Sequence, residues 1–306
     1  MTRTQECRDQ LSWIETNCPL NRTSIIPIKK ASDFCDKHVE ISTLSTDAIQ
    51  PLVKVKDDEV QKRAIAVLKT MIDSGKRPTR RDVERTVNTV IMAPRREELI
   101  QRGKEAAADP DGIKLYHGDF LTDYTRIPAG SIDCIITDPP YVKEWLHNFD
   151  AFGKAAAHVL KPGGFLVSYV GHIHLDKIMA QMTPHLEYYW ILCLKHSGQR
   201  AAVYGRMVQC TMKPILVFQK LPETKPKRYF NDFIQGQGRE KDAHEWQQGE
   251  EELRQIFEPF TDPGDVVLDP FMGSGTVISM AKKMNRHAIG FDIDGQNVEI
   301  VRGRVS

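Results

Sequence analysis

From Ile113 onward, the sequence alternates short apolar runs with stretches that carry apolar residues at helical spacing. The runs are IKLYHGD, IDCIITD, GFLVSYV, YYWILCL, PILVFQK, DVVLDP and HAIGFDID, and segments such as FDAFGKAAAHVL and GTVISMAKKMN lie between several of them. Runs that are apolar throughout are typical of parallel strands buried on both faces, and the helical stretches between them supply the cover. The pattern predicts an α/β fold over residues 106–306, with a doubly wound, mostly parallel sheet.

Residues 1–105 have a different, mostly helical pattern. STDAIQPLVKV and DDEVQKRAIAVLKTMIDSG carry apolar residues at helical spacing, and the second segment ends at a glycine. Thr79 is placed to cap a helix from Arg80 onward, with Asp82 and Glu84 in its first turn. RREELIQRGKEAAADPDG then resembles a charged connecting helix and loop. This small helical domain has a helix-turn-helix-like outline, which suits either DNA contact or an ordinary helical hairpin.

The composition is that of an ordinary globular protein, with 41% apolar and 27% charged residues among 306 and a formal net charge of +1. No apolar run is long enough to cross a bilayer, and the polar start MTRTQECRDQ lacks the apolar stretch of a signal peptide. We expect no membrane contact and a cytoplasmic location, with association with the nucleoid if the source is prokaryotic.

Cysteine and histidine spacing gives no sign of a metal site. The six cysteines are scattered without a C-x-x-C pair, which argues against a zinc ribbon or a disulfide framework. His172 and His174 in GHIHLD share one strand face, but no third ligand follows at a suitable spacing. We expect no metal.

Basic residues are concentrated between residues 195 and 241. This stretch holds ten lysines and arginines against three acids, and five of its residues are aromatic. Positive charge interleaved with aromatic rings suits a groove that follows a phosphate backbone and stacks on bases. A solvated loop region with ordinary core aromatics is the alternative.

The apolar run IDCIIT leads directly into Asp138, Pro139, Pro140 and Tyr141. Open α/β sheets place their ligand sites in a crevice at the carboxyl ends of the strands, so we expect Asp138 to lie at such a crevice. Two consecutive prolines remove two backbone donors and fix two φ angles. The result is a rigid platform of acceptors beside an aromatic ring, although the same residues also occur in simple turns.

The segment DVVLDPFMGSGTVISMAKKMNRHAIGFDID is the second informative motif. A buried strand runs into Asp269, followed by a loop with Gly273 and Gly275 and a helix from Thr276. Glycines allow a ligand to approach the backbone closely, and a helix N-terminus favours an anionic group. Asp292 ends the next strand, 23 residues after Asp269, where an acid commonly binds ribose hydroxyls. The motif indicates an adenosine-containing ligand, with a dinucleotide as the alternative.

Together, the DPPY and DPFMGSGT motifs resemble those of the DNA amino methyltransferases, which transfer a methyl group from S-adenosylmethionine to an exocyclic amine of adenine or cytosine. DPPY precedes the glycine motif, an order that resembles the permuted beta class. The resemblance extends over residues 113–306 and implies a Rossmann-like methyltransferase sheet with target recognition in residues 195–241. In HEWQQG, His244 and Gln247 match the family's His-Pro-Thr-Gln-Lys-Pro motif, whereas Gln248 and Gly249 replace its Lys and Pro.

The resemblance implies two groups of site residues. The catalytic group is Asp138, Pro139, Pro140 and Tyr141, and the cofactor group is Asp119, His244, Gln247, Asp269, Phe271, Gly273, Ser274, Gly275, Thr276 and Asp292.

The expected substrate is the amine of a base flipped out of double-stranded DNA, and Asp-Pro-Pro-Tyr favours adenine N6 by resemblance. Alternatives are cytosine N4, a DNA-binding regulatory protein with an inactive methyltransferase domain, and a nicotinamide-dependent oxidoreductase. The resemblance also suggests a homodimer and a cognate restriction nuclease as partners.

Overall fold

The structure, a computed structural model, describes residues 22–106, 108–195, 201–235 and 247–306. The chain divides into two compact units, Met1–Glu97 and Glu98–Ser306. No helix in the described ranges is both long and apolar enough to cross a bilayer.

The described part of the first unit is helical. Its elements are α1 (Arg22–Lys37), a 3-10 turn (Val39–Ile41), α2 (Gln50–Val53), α3 (Asp58–Asp73) and the beginning of α4 (Arg80–Glu105). Ile41, Ile49, Leu52 and Leu68 are fully buried in the core of this unit. In STDAIQPLVKV, residues 45–55, only Gln50–Val53 is helical, so the helix predicted there is confined to α2.

The beginning of α4 shows the predicted cap. The N–H and the hydroxyl of Thr79 donate to Asp82 Oδ2 at 2.8 and 2.7 Å, which satisfies polar groups at the helix start. These two hydrogen bonds lower the pKa of Asp82. The helix then continues through Pro94 to Glu105, so the separate connecting helix predicted from RREELIQRGKEAAADPDG is the last part of α4.

The second unit contains the predicted mostly parallel sheet, which has eight strands: the seven predicted from apolar runs and the short additional strand Phe233–Gln235. The strands of the unit are β1 (Ile113–His117), β2 (Ile132–Thr137), β3 (Leu160–Tyr169), β4 (Glu187–Lys195), β5 (Ala201–Val203), β6 (Val208–Cys210), β7 (Met212–Gln219), β8 (Phe233–Gln235), β9 (Val266–Asp269) and β10 (His287–Asp292). The sheet order is β1-β10-β9-β2-β3-β7-β4-β8, while β5 and β6 form a separate antiparallel hairpin. In this sheet, β7 alone runs antiparallel to its neighbours.

Helices cover both faces of the sheet, which confirms the doubly wound α/β prediction. They are α5 (Phe120–Asp123), α6 (Phe149–Val159), α7 (Leu175–Met182), α8 (Gln247–Phe260), α9 (Thr276–Lys283) and α10 (Gly295–Val305), with 3-10 turns at Tyr124–Arg126, Lys143–Asn148 and Tyr204–Arg206. Ile135 packs into a core with Phe152 of α6, whereas the adjacent Ile136 packs into a core with Phe257 of α8. Successive strand residues therefore fill two separate cores.

The segment LKPGG, residues 160–164, belongs to β3 although two glycines and a proline are more typical of a turn. Helix α6 does end at Val159, but β3 begins at Leu160, which pairs with Ile132. Gly163 has φ +79°, and its carbonyl accepts a hydrogen bond from Gln219 Nε2 at 3.0 Å. The glycine conformation and this bond from β7 keep the irregular start of β3 within the sheet.

Candidate active site

The predicted acids lie at one edge of the sheet because parallel strands end on the same side. Asp292 and Asp269 end β10 and β9, and Asp138 follows β2 directly. Strands β9 and β2 are neighbours, with Cys134 paired to Val267. The DPPY motif and the glycine motif therefore lie close together, as expected for residues at the carboxyl ends of neighbouring parallel strands.

A buried hydrogen bond links the two motifs. Thr137 Oγ1, at the end of β2, donates to Asp269 Oδ1 at 2.7 Å, and the N–H of Phe271 donates to the same oxygen at 3.2 Å. Burial raises the pKa of Asp269 to about 7, and the charges of Asp138 and Asp292 add to this effect while the two donors oppose it. A buried acid of this kind is stabilised as a carboxylate by a nearby cation.

The glycine loop follows Asp269, and its two glycines, Gly273 and Gly275, have different surroundings. Gly273 has φ +48° and open space where a Cβ would stand, so its backbone is accessible to a ligand. Gly275 has φ +76°, but a Cβ there would lie 2.6 Å from a methyl carbon of Val301. Gly275 is thus required for packing against α10, a role that the sequence motif did not reveal.

Asp292 is oriented by three hydrogen bonds. Its Oδ2 accepts from the N–H of Gly273 at 2.9 Å, and its Oδ1 accepts from the N–H of Asp294 at 2.8 Å and from Asn297 Nδ2 at 3.1 Å. A carboxylate has about four acceptor positions, so this arrangement leaves capacity for a further donor such as a hydroxyl. The half-buried side chain also ties the glycine loop to the start of α10.

The other residues of the glycine motif lie around this loop. Phe271 contacts the rings of Trp145 and Phe152 edge-on, at centroid distances of 5.2 and 5.5 Å. Ser274 is exposed and its carbonyl accepts from Arg304 Nη1 at 2.9 Å, while Thr276 is the first residue of α9. Phe271 therefore helps to form an aromatic cluster beside the loop, a packing role that accompanies any contact with a ligand.

Asp119 follows β1, the strand beyond β10. It caps the short helix α5, where its Oδ1 accepts from the N–H of Leu121 at 2.9 Å, and its side chain is exposed. His244 lies outside the described residues, and Gln247 begins α8.

The DPPY segment borders an apolar cleft of about 460 Å3. Pro139 is buried, whereas Asp138 and Tyr141 are about half exposed, at 50% and 47%. The wall of the cleft comes mainly from Pro140 to Lys143, from Val170 to His174 and from the β5–β6 hairpin through Val203 and Cys210. This volume lies within the roughly 300–1,000 Å3 of small-molecule sites.

Lys213 is a site residue that the sequence motifs did not single out. Its Nζ donates to Asp138 Oδ2 at 2.9 Å and lies 4.7 and 4.5 Å from the ring centroids of Tyr141 and Tyr169. Burial and the Asp138 charge raise the pKa of Tyr169 above its ordinary value. The sequence signal was only general, since Lys213 is one of the ten basic residues between 195 and 241.

The basic region 195–241 has more structure than a surface loop. Within its described part it supplies the β5–β6 hairpin beside the cleft and two strands of the central sheet, β7 and β8. The described residues contain no group of three His, Cys, Asp or Glu side chains that could hold a metal ion.

Comparisons with known proteins agree on one class of enzyme. The family model described as "DNA methylase", of N6 and N4 type, matches residues 132–302. The type II methyltransferase M.BglII of Bacillus subtilis is 27% identical over an alignment of 248 residues, and the match covers 61% of this chain and 67% of that protein. The type II methyltransferase M.HpaI of Haemophilus parainfluenzae is 24% identical over 231 residues, covering 63% and 74% of the two chains.

Solved structures show the same fold. PvuII DNA methyltransferase, which is cytosine-N4-specific, has a TM-score of 0.54 at 18% identity and covers 65% of this chain and 89% of its own. The M1.HpyAVI–SAM complex has a TM-score of 0.51 at 20% identity and covers 63% and 99%. These likenesses confirm the Rossmann-like methyltransferase sheet.

The residues at the sheet edge fit the cofactor of such enzymes. S-adenosylmethionine carries two cationic groups and a ribose, and the edge offers the buried acid Asp269, the oriented carboxylate of Asp292 and open backbone at Gly273. The family model spans 171 of the 306 residues and both motifs. The chain therefore belongs to the N6/N4 family of DNA methylases, which use S-adenosylmethionine.

Proposed function

We propose that this chain transfers the methyl group of S-adenosylmethionine to the N6 amine of an adenine in DNA. One observation carries the proposal: a 2.7 Å hydrogen bond joins Thr137, the residue before Asp138, to Asp269, the acid that precedes the glycine loop. A methyl donor at the loop and a base in the cleft would then face each other across the ends of two neighbouring strands.

Residues at the glycine loop would hold the donor, which supplies an electrophilic methyl group when bound. Asp269 would lie near a cationic group of the cofactor, because a nearby cation stabilises its carboxylate form. Asp292 would accept from ribose hydroxyls, and Asp119 would lie near the adenine ring. Gly273 would allow close approach of the cofactor to the backbone. Phe271 and Ser274 of the same loop, Thr276 at the start of α9, and His244 and Gln247 would complete the proposed contact set.

The DPPY segment would prepare the amine for reaction. The lone pair of an exocyclic amine is delocalised into the ring, which makes the nitrogen a poor nucleophile. If Asp138 and the carbonyl of Pro139 each accept one amine hydrogen, the lone pair is freed and directed at the methyl carbon. Transfer would form the N–C bond as the C–S bond of the donor breaks, and Asp138 and the Pro139 carbonyl would stabilise the positive charge that develops on nitrogen before a proton is lost to solvent.

The apolar cleft would receive the target base. Tyr141 has its ring at the border of the cleft and would stack on a base that has been flipped out of the duplex. Two prolines before it would keep this platform rigid. Adenine is proposed because an acid, Asp138, precedes Pro-Pro-Tyr; a homodimer and a cognate nuclease stay predictions.

The test is incubation of the purified protein with tritium-labelled S-adenosylmethionine and mixed genomic DNA, followed by nucleoside analysis. Label in N6-methyladenine is the expected result. Label in N4-methylcytosine would keep the proposed mechanism and reverse the base assignment. Absence of label in a preparation that binds the cofactor would contradict the proposal and favour the regulatory alternative.

A further inference from the structure

Lys213 reaches the candidate active site because β7 runs against its neighbours. The carboxyl ends of β2 and β3 lie on the side of the sheet that carries the candidate active site. Because β7 is antiparallel to β3, its amino end lies on the same side. Lys213 is the second residue of β7 and lies close to that end. The direction of a single strand thus adds a basic side chain to a row of acids.

The side chain is held on three sides. Its ammonium is 2.9 Å from Asp138 Oδ2 and contacts the faces of two tyrosine rings, and only 21% of the side chain is exposed. Asp138 itself is 50% exposed, and ion pairs with such exposure contribute little to stability. A lysine with three such contacts, whose ion pair contributes little to stability, points to a role in the site.

Resting on the proposed function, we propose that Lys213 is a positioning residue for methyl transfer. Its ammonium engages Oδ2 and fixes the rotamer of the Asp138 side chain, which leaves Oδ1 for the amine of the target base. Oδ1 has no hydrogen-bond donor in the described part of the chain. The rings of Tyr141 and Tyr169 hold the ammonium in place by cation–π contacts, so the carboxylate is oriented before the base arrives.

Lys213 promotes transfer by orienting the Asp138 carboxylate and not by stabilising the charge that develops on the amine. A positive charge develops on the amine nitrogen during transfer, and a second cation nearby disfavours it. The carboxylate lies between the two positive groups, because each of them uses a different oxygen. Any increase in the rate of methyl transfer therefore has to come from the fixed position of the Asp138 carboxylate. Such positioning affects the chemical step more than substrate binding.

The experiment measures kcat and KM for DNA methylation in three variants of the full chain. Lys213→Met keeps an unbranched side chain that is one atom shorter and removes its charge, and we expect kcat to fall by about ten- to a hundredfold with KM values within about threefold. Lys213→Arg keeps the charge and the ring contacts and is expected to recover part of the loss. Lys154→Met, at an exposed position on α6, is the control and should leave kcat unchanged.

Thermal unfolding and cofactor titration accompany the kinetics, and Lys213→Gln replaces Lys213→Met if the latter does not fold. An unchanged or increased kcat in Lys213→Met would overturn the assignment, and an increase would show that the ammonium competes with the amine. A rise in KM alone would also overturn it. Absence of transfer by the unaltered chain would instead overturn the proposed function, and the assignment with it.

Discussion

At the scale of single residues, Asp138 is the side chain on which transfer should depend most. Asp138→Ala removes one of the two proposed amine acceptors, and we expect transfer to be abolished. Cofactor affinity should stay within a few-fold of the original, because the glycine loop makes the proposed cofactor contacts. Turnover assays and calorimetric titration check this, with the exposed Asp111→Ala as control. A large loss of cofactor affinity would contradict the role given to Asp138.

Tyr141 tests whether the cleft works by stacking. Tyr141→Phe keeps the ring, so it should retain most of the transfer rate, whereas Tyr141→Ala should lose far more of it. The phenyl ring also preserves the cation–π contact with Lys213, which lies 4.7 Å from the ring centroid. Steady-state kinetics on the two variants decide the matter, and equal losses would show that stacking is not the function of this residue.

Asp269 should make stability depend on pH. Its pKa in the folded chain is about 7, above the ordinary 3.8, so the folded state binds more protons than the unfolded state between these values. Its contribution is therefore complete below pH 3.8 and is lost as the pH rises towards 7, at a slope of up to roughly 1.4 kcal/mol per pH unit. Asp269→Asn cannot titrate. Urea unfolding from pH 4 to 8 should show this slope in the original chain and a flatter profile in the variant.

Sequence reasoning placed the acids of the site and missed two of their partners. Asp138, Asp269 and Asp292 could be located because a run of apolar residues predicts where a strand ends. Thr137 was overlooked, although a polar residue that closes a buried strand usually has a hydrogen-bond partner. Lys213 lies 75 residues from its partner Asp138, and strand direction is not encoded in a local pattern.

At the scale of elements, the two glycines of the loop should respond differently to alanine. Gly275→Ala introduces both a left-handed non-glycine residue and a clash with Val301, so it should lose clearly more than the roughly 1–2 kcal/mol expected for the backbone alone. Gly273→Ala meets open space and should lose only the backbone contribution while weakening cofactor binding. Denaturant unfolding and cofactor titration separate the two effects. Equal stability losses would contradict this division.

The elements that sequence predicted best were the buried strands. Their apolar runs are short and bounded by turn residues, so the sequence predicts both the type of element and its position. Helix α4 was harder, because Pro94 is normally a boundary signal and here lies within the helix. The irregular start of β3 depends on a hydrogen bond from Gln219, 56 residues away from Gly163, and no local pattern contains that information.

At the scale of the whole molecule, charge should govern the encounter with DNA. The turn of the β5–β6 hairpin carries the exposed Arg206, and its strands border the apolar cleft. Arg206→Ala should weaken DNA binding and reduce the dependence of log K on log salt by about one unit. Fluorescence anisotropy at several salt concentrations tests this, with Lys154→Ala as the matched control. An unchanged salt dependence would place the hairpin outside the DNA contact.

The 2.7 Å bond between Thr137 and Asp269 joins residues that are 132 positions apart. During synthesis, the DPPY motif therefore leaves the ribosome long before the glycine motif. Strand β2 cannot pair with its neighbour β9 until β9 has also been synthesised. Pairings between such distant segments form slowly, because a large loop must be closed first. The nascent chain should consequently acquire its methyltransferase site in one late step, after the glycine loop has emerged, and shorter fragments should have no partial activity.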